Sequence, residues 1–251
     1  MLTAERHAAI VDLLRQRGRV LANDLSAELG VSADTIRRDL RELDELGRVR
    51  RVHGGALPRT GDAAPFAARA RRAPEAKASI ARRAAKLIDH GQVVILDGGT
   101  TTVEVARALR PDLRATVVTT SPPVAIALSE HRGVEIAVIG GTLRRDALVT
   151  VGAETVDVLR RIRADVVMLG VCGLHPDLGV TGNDLEEAQV KRAMIDGAAA
   201  VIALADHDKL GTARPVFVAS IDVITALITD SDVNDQSLEP YRAAGIEVLY
   251  A

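Results

Sequence analysis

Two short stretches of the sequence combine residue types that bind anions. The first is V-S-A-D-T-I-R-R-D-L at 31–40, where an arginine pair follows a serine that can cap a helix. The second is L-D-G-G-T-T-T-V-E at 96–104, where two glycines and three threonines follow an aspartate. Arginine pairs with phosphate or guanine, and backbone amides at the start of a helix bind phosphate. The two stretches therefore predict two separate anion-binding surfaces.

The first surface depends on a helix that begins after Ser32 and runs to Leu46. At ~100° per residue, its apolar positions form one stripe. These positions are Ile36, Leu40 and Leu43. The opposite face carries Arg37, Arg38 and Arg41 near the helix N-terminus. A shorter helix at 22–29 precedes it, and this arrangement is typical of a helix-turn-helix that enters the DNA major groove.

A hairpin follows this helix and adds further positive charge. The run R-V-R-R-V-H-G-G-A-L alternates briefly and turns at Gly54–Gly55. Its Arg50 and Arg51 can contact the DNA backbone as a wing would. The alternative is an ordinary amphipathic helix whose arginines form surface salt bridges with Asp34, Asp39 or Glu45, which the helical wheel alone does not exclude.

The rest of the chain indicates an α/β domain after a linker. We predict a DNA-binding domain at 1–57, a linker at 58–74 and a second domain at 75–251. The segment 58–74 is rich in Ala, Arg, Pro and Gly, and its arginines are either solvated, bound to DNA or packed on the next domain. Beyond it, near-continuous apolar runs alternate with helical segments, which favours a mostly parallel sheet covered on both faces. These runs are at 93–97, 116–120, 134–139, 165–171, 200–205 and 223–228, with a last strand near 246–250.

The second anion surface is expected at the carboxyl ends of these strands, where open α/β sheets bind ligands. The predicted ligand-binding residues are Asp97, Gly99, Thr100, Thr101, Thr102, Gly141, Arg144 and Lys209. The alternatives are a helix cap without a ligand at 96–104 and a solvated loop lysine at 209. No G-K-[ST] follows the glycines, so a Walker A loop is excluded. Glu187 and Lys191 are four residues apart, a spacing more typical of a helix-surface pair than of a catalytic dyad.

Three motifs of the first 57 residues resemble the DeoR family of bacterial transcription regulators. They are R-H-A-A-I-V-D-L-L, S-A-D-T-I-R-R-D-L and V-R-R-V-H-G-G-A. The resemblance implies a winged helix-turn-helix in which Thr35, Arg37, Arg38 and Arg41 face operator DNA. The predicted DNA surface consists of Ser32, Thr35, Arg37, Arg38, Arg41, Arg50 and Arg51.

The second domain is similar to the sensor domain of the same family. The shared motifs are the L-D-x-G-T-T loop, a G-G turn, a G-V-x-G segment, T…E-A…K-R and D-x-x-K-x-G. The resemblance implies a fold related to ribose-5-phosphate isomerase and glucosamine-6-phosphate deaminase, and a phosphorylated sugar or related effector. Two positions depart from the family pattern. Gly98 stands where many members have Ser, and Cys172 stands where Asp is usual, so the effector or its binding mode differs. Cys172 is expected to be a small buried filler rather than a reactive thiol.

These observations predict a transcriptional repressor of carbohydrate genes, with operator DNA and a phosphorylated effector as partners. Paired half-sites would require a homo-oligomer, a dimer or a tetramer. The second candidate function is a sugar-phosphate isomerase with Asp97 or Glu187 as the base. A third candidate, a metal-dependent hydrolase, is weakly supported because the sequence lacks H-E-x-x-H and C-x-x-C motifs. We therefore predict no catalytic residues, metal or cofactor. The single cysteine and the absence of an 18-residue apolar run favour a cytoplasmic protein without membrane contact, associated with the nucleoid when bound to its operator.

Overall fold

The protein forms two units, each with its own hydrophobic core. The computed structural model describes residues 2–17, 20–46, 48–52, 54–57 and 65–251. Within these ranges, no helix has the length and apolar character needed to cross a bilayer.

The first unit contains three helices and a three-stranded sheet. Its elements are α1 (Thr3–Arg17), β1 (Val20–Leu21), α2 (Ala22–Leu29), α3 (Ala33–Glu45), β2 (Arg50–Val52) and β3 (Gly55–Leu57). The strands pair antiparallel in the order β1-β3-β2. Gly30 ends α2 in the left-handed conformation (φ 64°), which glycine adopts without steric cost. The result is the predicted helix-turn-helix with a β-hairpin wing.

The core of this unit is built from the predicted apolar stripe of α3. Ile36, Leu40 and Leu43 are almost fully buried and pack against Ile10 of α1 and Leu25 of α2. Because these side chains occupy one side of α3, its arginines are left on the other side.

The second unit has an all-parallel sheet of seven strands at its centre. Its helices are α4 (Phe66–Ala70), α5 (Pro74–Ala85), α6 (Thr100–Ala108), α7 (Pro122–Leu128), α8 (Ala153–Leu159), α9 (Leu185–Asp196) and α10 (Glu239–Ala243). Its strands are β4 (Val93–Leu96), β5 (Ala115–Thr119), β6 (Val134–Val138), β7 (Thr142–Arg144), β8 (Val149–Val151), β9 (Ala164–Gly170), β10 (Gly173–His175), β11 (Gly179–Gly182), β12 (Ala198–Leu204), β13 (Val216–Ala219), β14 (Ala226–Thr229) and β15 (Glu247–Tyr250). The order in the central sheet is β15-β14-β12-β9-β4-β5-β6.

Each face of the central sheet is covered by a separate hydrophobic cluster. One cluster contains Ile95 and Val167 with residues of α8 and α9, and the other contains Val94 and Val166 with residues of α5 and α6. Neighbouring residues of one strand therefore point to opposite layers, and both layers are apolar, as expected for a parallel sheet. Since all seven strands run the same way, the carboxyl ends of β4, β9 and β12 lie side by side.

Two smaller sheets and one helix were not predicted. Strands β10, β11 and β13 form an antiparallel sheet, and β7 pairs with β8. The apolar run at 223–228 was expected to be a strand throughout, but residues 221–223 form a 3₁₀ turn and β14 starts only at Ala226. Of the predicted linker, residues 58–64 lie outside the described part of the chain. The remainder is not an open connection, since it contains α4, whose Phe66 packs against the α5–α6 core.

Candidate nucleic-acid interface and anion site

The N-terminus of α3 is fixed by a side-chain cap. The Ser32 hydroxyl accepts a hydrogen bond from the Thr35 backbone N–H at 3.1 Å, as the sequence predicted. The two hydroxyl oxygens of Ser32 and Thr35 are also 2.8 Å apart. Ser32 is exposed and Thr35 is half-buried. Ser32 and Thr35, two residues of the predicted DNA surface, therefore stabilise the start of the helix. Their contact with DNA stays a prediction.

The arginines of α3 form an exposed basic face. Arg37, Arg38 and Arg41 are all exposed, on the side of the helix opposite the buried stripe. Arg37 is paired with Asp34 at 2.6 Å, and both side chains are largely exposed. Among the described residues, Arg38 and Arg41 have no ion pair, so their guanidinium groups are available to an anion. Exposed pairs such as Arg37–Asp34 are weak, and a phosphate can displace the carboxylate.

The wing adds two arginines on the neighbouring strand. Arg50 and Arg51 belong to β2 and are exposed. The backbone N–H of Arg51 donates a hydrogen bond to the Asp44 carboxylate at 3.2 Å. This contact attaches β2 to the end of α3 and gives the wing a defined position beside the basic face.

A buried ion pair that the sequence analysis missed connects α1 to α3. The Arg6 guanidinium donates two hydrogen bonds to the Asp39 carboxylate, at 2.6 and 2.9 Å, and His7 Nε2 lies 3.2 Å from it. Burial alone would raise the pKa of Asp39, but Arg6 and His7 outweigh burial and lower the pKa below its ordinary value of 3.8. Asp39 lies beside the apolar stripe on the helical wheel, at about −60° from Ile36, which is the signal that could have revealed it.

In the second unit, Asp97 lies at the carboxyl end of β4 and is saturated with partners. Its carboxylate accepts hydrogen bonds from the backbone N–H groups of Gly98 (2.7 Å) and Gly170 (3.0 Å). It also forms an ion pair with Lys191, and both side chains are nearly fully buried. Asp97 is thus a neutralised part of the framework as well as a predicted ligand contact.

Lys191 was expected on a helix surface with Glu187, and this prediction was wrong. Lys191 is only 3% exposed, and its ammonium group donates to the Gly170 carbonyl at 2.8 Å as well as contacting Asp97. Glu187 lies 3.6 Å away at the edge of the site. Burial alone would lower the pKa of Lys191, but the charges of Asp97 and Glu187 outweigh it and raise the pKa. The lysine therefore stays charged.

The start of α6 provides an anion-binding cradle next to Asp97. Gly99 caps the helix at φ 154°, a conformation that disfavours other residues. Thr100, Thr101 and Thr102 are at least nine-tenths buried, and the Thr102 hydroxyl donates to the Gly99 carbonyl at 2.9 Å. In the described structure, the backbone N–H groups of Thr100 and Thr101 donate to no protein acceptor. Two free amides at a helix N-terminus are a binding site for phosphate.

Lys209 lies at the same edge of the sheet, in the 3₁₀ turn after β12. Its ammonium nitrogen is 3.3 Å from the Asp206 carboxylate, and its side chain is 23% exposed. Asp97, Thr100 and Thr101 follow β4, and β9 lies between β4 and β12. The structure therefore gathers these predicted residues at one edge of the sheet.

Gly141 and Arg144 have protein partners instead of an open position. A Cβ atom on Gly141 would lie 2.1 Å from the Thr155 hydroxyl, so glycine is needed there for packing. Arg144 forms ion pairs with Asp146 and with Asp184, which together raise the pKa of its guanidinium. The charge of Arg144 is therefore compensated by two carboxylates. A contact of Gly141 or Arg144 with an effector stays a prediction.

The two departures from the family pattern have local physical explanations. A Cβ atom on Gly98 would lie 2.0 Å from Cγ1 of Val149, so Val149 fills the space of a side chain at this position. Cys172 is half-buried, and its backbone carbonyl accepts from Arg214 at 3.3 Å. Burial raises the pKa of the Cys172 thiol and the Glu187 charge raises it further, against the opposing charges of nearby cations. The thiol is therefore protonated near neutral pH, in line with its predicted role as a filler.

A cavity of about 500 Å³ is lined by His175, His207, Asp232 and Tyr241, among others, and Asp97 does not line it. Here His207, Asp230 and Asp232 place potential metal-ligating atoms within 4.8 Å of one another. The His207 ring is already 3.0 Å from Asp230, and the Asp232 backbone N–H donates to the same carboxylate at 3.1 Å. Hydrogen bonding alone explains the arrangement. The free amides of Thr100 and Thr101 make the start of α6 the stronger candidate for a ligand site.

A winged helix-turn-helix followed by a parallel α/β unit with an anion cradle defines the class of two-domain transcriptional regulators. Comparison with known families agrees. The DeoR-like helix-turn-helix domain matches residues 6–60, and the DeoR C-terminal sensor domain matches residues 72–231. The chain belongs to the DeoR family of transcriptional regulators.

Individual relatives match over most of their length. The HTH-type transcriptional regulator GlpR of Haloferax volcanii is 39% identical over 251 residues, which covers 99% of this chain and 98% of that protein. The glycerol-3-phosphate regulon repressor of Escherichia coli K12 is 35% identical over 232 residues, or 92% of each chain. The structure of ribose 5-phosphate isomerase A from Methanocaldococcus jannaschii aligns with a TM-score of 0.40 at 16% identity, over 54% of each chain.

Proposed function

We propose that this protein is a homo-oligomeric repressor that binds operator DNA through α3 and releases it when a phosphorylated sugar or polyol binds the second unit. It acts on chromosomal DNA in the cytoplasm and controls genes of carbohydrate metabolism. The predicted boundaries, a DNA-binding domain at 1–57 and a sensor domain from 75, assign one function to each unit.

The observation that carries this proposal is the exposed basic face of α3. Three arginines occupy the first three turns of a capped helix, and two of them, Arg38 and Arg41, have no acidic partner within the described residues. The N-terminal end of a recognition helix is the part that contacts base edges, and arginine pairs bidentately with guanine. The wing arginines on β2 are exposed and would contact the DNA backbone, which fixes register without reading sequence.

The effector class follows from the chemistry at the edge of the sheet. The free amides of Thr100 and Thr101 and the ammonium group of Lys209 are suited to a phosphate, whereas Asp97 is already neutralised by Lys191. Glu187 is partly exposed beside them and can accept from a hydroxyl group. A relative named as a glycerol-3-phosphate regulon repressor supports a phosphorylated polyol or sugar.

The test is fluorescence anisotropy of the full chain against DNA from upstream of its own gene, at fixed salt and with random DNA as reference. Arg41→Ala is compared with Arg82→Ala, a matched control that removes an exposed arginine from α5. We expect Arg41→Ala to cost about 1–3 kcal/mol in operator binding and Arg82→Ala to have no effect. Equal binding by Arg41→Ala and the wild type would contradict the interface.

The titration is repeated with glycerol 3-phosphate, ribose 5-phosphate, fructose 6-phosphate and inorganic phosphate. Release by one organic phosphate is the expected result. In parallel, the protein is incubated with ribose 5-phosphate and assayed for the ketose isomer. Turnover without selective DNA binding would contradict the proposal and favour the isomerase alternative.

A further inference from the structure

Helix α4 is the first described element after the winged unit, and it is attached to the second unit at several points. The Phe66 backbone N–H donates to the Asp146 carbonyl at 3.0 Å, and the Phe66 ring packs against the α5–α6 core. Arg69 lies one turn later, with its guanidinium 5.8 Å from the centre of that ring. Its Nη2 donates to the same Asp146 carbonyl at 3.4 Å. The side chain is therefore held in one position.

The Arg69 guanidinium nevertheless has a donor without a partner. Its Nε is shielded from solvent and has no hydrogen-bond partner in the described structure. Leaving a buried donor unsatisfied is costly, and such groups in native proteins require an explanation. The Nε–H and a neighbouring Nη–H of arginine form a planar fork that matches two oxygens of a phosphate. An anion would satisfy this donor if the groups that cover the Nε moved aside when it bound.

Further cations surround this position. The buried ammonium group of Lys77 donates to the carbonyl oxygens of Arg69 and Arg72, at the C-terminal end of α4. Burial lowers the pKa of Lys77, as do the charges of Lys209, Arg69 and Arg72, whereas Asp206 opposes them. Lys209 is also the predicted phosphate-binding lysine, so Arg69 and Lys77 belong to the same positively charged region.

Packing contacts of α4 link Arg69 to the edge of the sheet that carries the amide cradle. The Cys172 thiol follows β9, next to the Asp97–Lys191 pair, and both Lys209 and Arg69 act on it electrostatically. Helix α4 also packs against α6, whose N-terminus forms the amide cradle. Arg69 is also linked to the cradle through the β7–β8 hairpin, because it donates to the Asp146 carbonyl and Val149 of β8 lies against Gly98.

We propose that Arg69 is an effector-binding residue, which binds the phosphate together with the α6 amides and Lys209. In this way Arg69 couples ligand binding to the segment that leads to the DNA-binding unit. This inference rests on the proposed function and names its regulation. The phosphate fills the unsatisfied donor, and Lys77 holds the end of α4 so that the helix responds as one body. A ligand that binds α4 in only one position shifts the protein toward that state by its differential affinity.

The competing explanation is that Arg69 only stacks on Phe66 and stabilises α4. Three variants of the full chain distinguish the two. Arg69→Gln removes the charge and the fork, and Arg69→Lys keeps the charge but loses the fork. Arg71→Gln is the matched control, because Arg71 is exposed in the same segment.

Phosphate binding is measured by calorimetry with inorganic phosphate and with the organic phosphates used for the wild type. Operator binding is measured by anisotropy with and without each phosphate. We expect Arg69→Gln to bind operator within about twofold of the wild type but to weaken phosphate binding by at least about tenfold. Arg69→Lys should be intermediate, and Arg71→Gln should match the wild type.

Two outcomes overturn the inference, and they are distinguishable. If the wild type responds to a phosphate and Arg69→Gln responds equally, the role of Arg69 is wrong while the proposed function stands. If the wild type binds operator but neither binds nor responds to any phosphate, the proposed effector class fails as well. Thermal unfolding of each variant checks the fold, and Arg69→Lys decides the question if Arg69→Gln unfolds.

Discussion

Replacing Lys191 by methionine should destabilise the second unit far more than an ordinary lysine substitution. Lys191 and Asp97 are both nearly fully buried, and methionine has a similar length, so the change removes the charge without opening a large cavity. Asp97 then keeps its two backbone donors, Gly98 and Gly170, but loses its counter-charge. Leaving one member of a buried ion pair unpaired costs about 3–5 kcal/mol.

This loss is large but measurable in a folded protein. A domain of this size has a free energy of unfolding of about 5–15 kcal/mol, so the variant should stay mostly folded at 25 °C unless the wild type lies at the lower end of that range. At about 2–4 °C per kcal/mol for 150–250 residues, the midpoint of thermal unfolding should fall by about 6–20 °C. The assay is thermal and urea unfolding of the full chain, followed by circular dichroism.

Two further variants make the prediction refutable. Lys86→Met changes an exposed lysine at the end of α5 and should shift the midpoint little. Asp97→Asn combined with Lys191→Met removes both charges and should regain part of the lost stability, since no unpaired charge stays buried but the amide keeps only one acceptor oxygen for Gly98 and Gly170. A shift for Lys191→Met no larger than for Lys86→Met, or a double variant as unstable as the sum of the two single changes, would refute the reasoning.

Three other predictions concern packing and pH. Gly98→Ala should cost about 1–3 kcal/mol, because the new methyl group meets the stiff Val149 side chain, and Val149→Ala should reduce that cost in a double-mutant cycle of urea unfolding. Additive effects would show that Val149 is not the obstacle. The hydrogen bond to Asp230 raises the pKa of His207, so its contribution to stability is complete below pH 6.5 and is lost as pH rises through the raised pKa. Unfolding of His207→Gln, measured from pH 5.5 to 8.5, should therefore lack this pH dependence, and a parallel profile to the wild type would contradict it. The pKa of Asp39 is lowered, so its contribution is present above pH 3.8 and is lost as pH falls through the lowered pKa. The stability advantage of the wild type over Asp39→Asn, followed by hydrogen exchange in α1 and α3, should shrink in acid, and a constant difference would count against the ion pair.

The central sheet could be predicted because its signal is local. Strands buried on both faces are near-continuous apolar runs, and β4, β9 and β12 fall within one or two residues of the predicted runs. The antiparallel strands β10, β11 and β13 are only three or four residues long, and β11 pairs with β13 from more than thirty residues away. No local periodicity marks such strands, since their pairing depends on the completed fold.

The basic face of α3 could also be predicted from a local signal, whereas the buried residues of the ligand site could not. The basic face of α3 follows from helical periodicity alone, because Ile36 and Leu40 fix which side is buried. The burial of Lys191 depends on Asp97, 94 residues earlier in the chain, and the spacing to Glu187 suggested a surface pair instead. Arg69 was not singled out because composition marked its segment as a linker, and the contacts of Phe66 and Arg69 with the second unit become visible only in the structure.

If α3 contacts DNA as we propose, the ion pair between Asp34 and Arg37 affects how the protein selects its target. On random DNA, Arg37 must give up a carboxylate for a phosphate of similar attraction, and Asp34 itself repels the backbone. Only a sequence that offers Arg37 a bidentate base contact returns more than is lost. A genome presents on the order of 10⁶–10⁹ competing sites, so occupancy depends on the ratio of the two affinities. We therefore expect the Asp34 carboxylate at the start of α3 to weaken binding to random DNA more than binding to the operator.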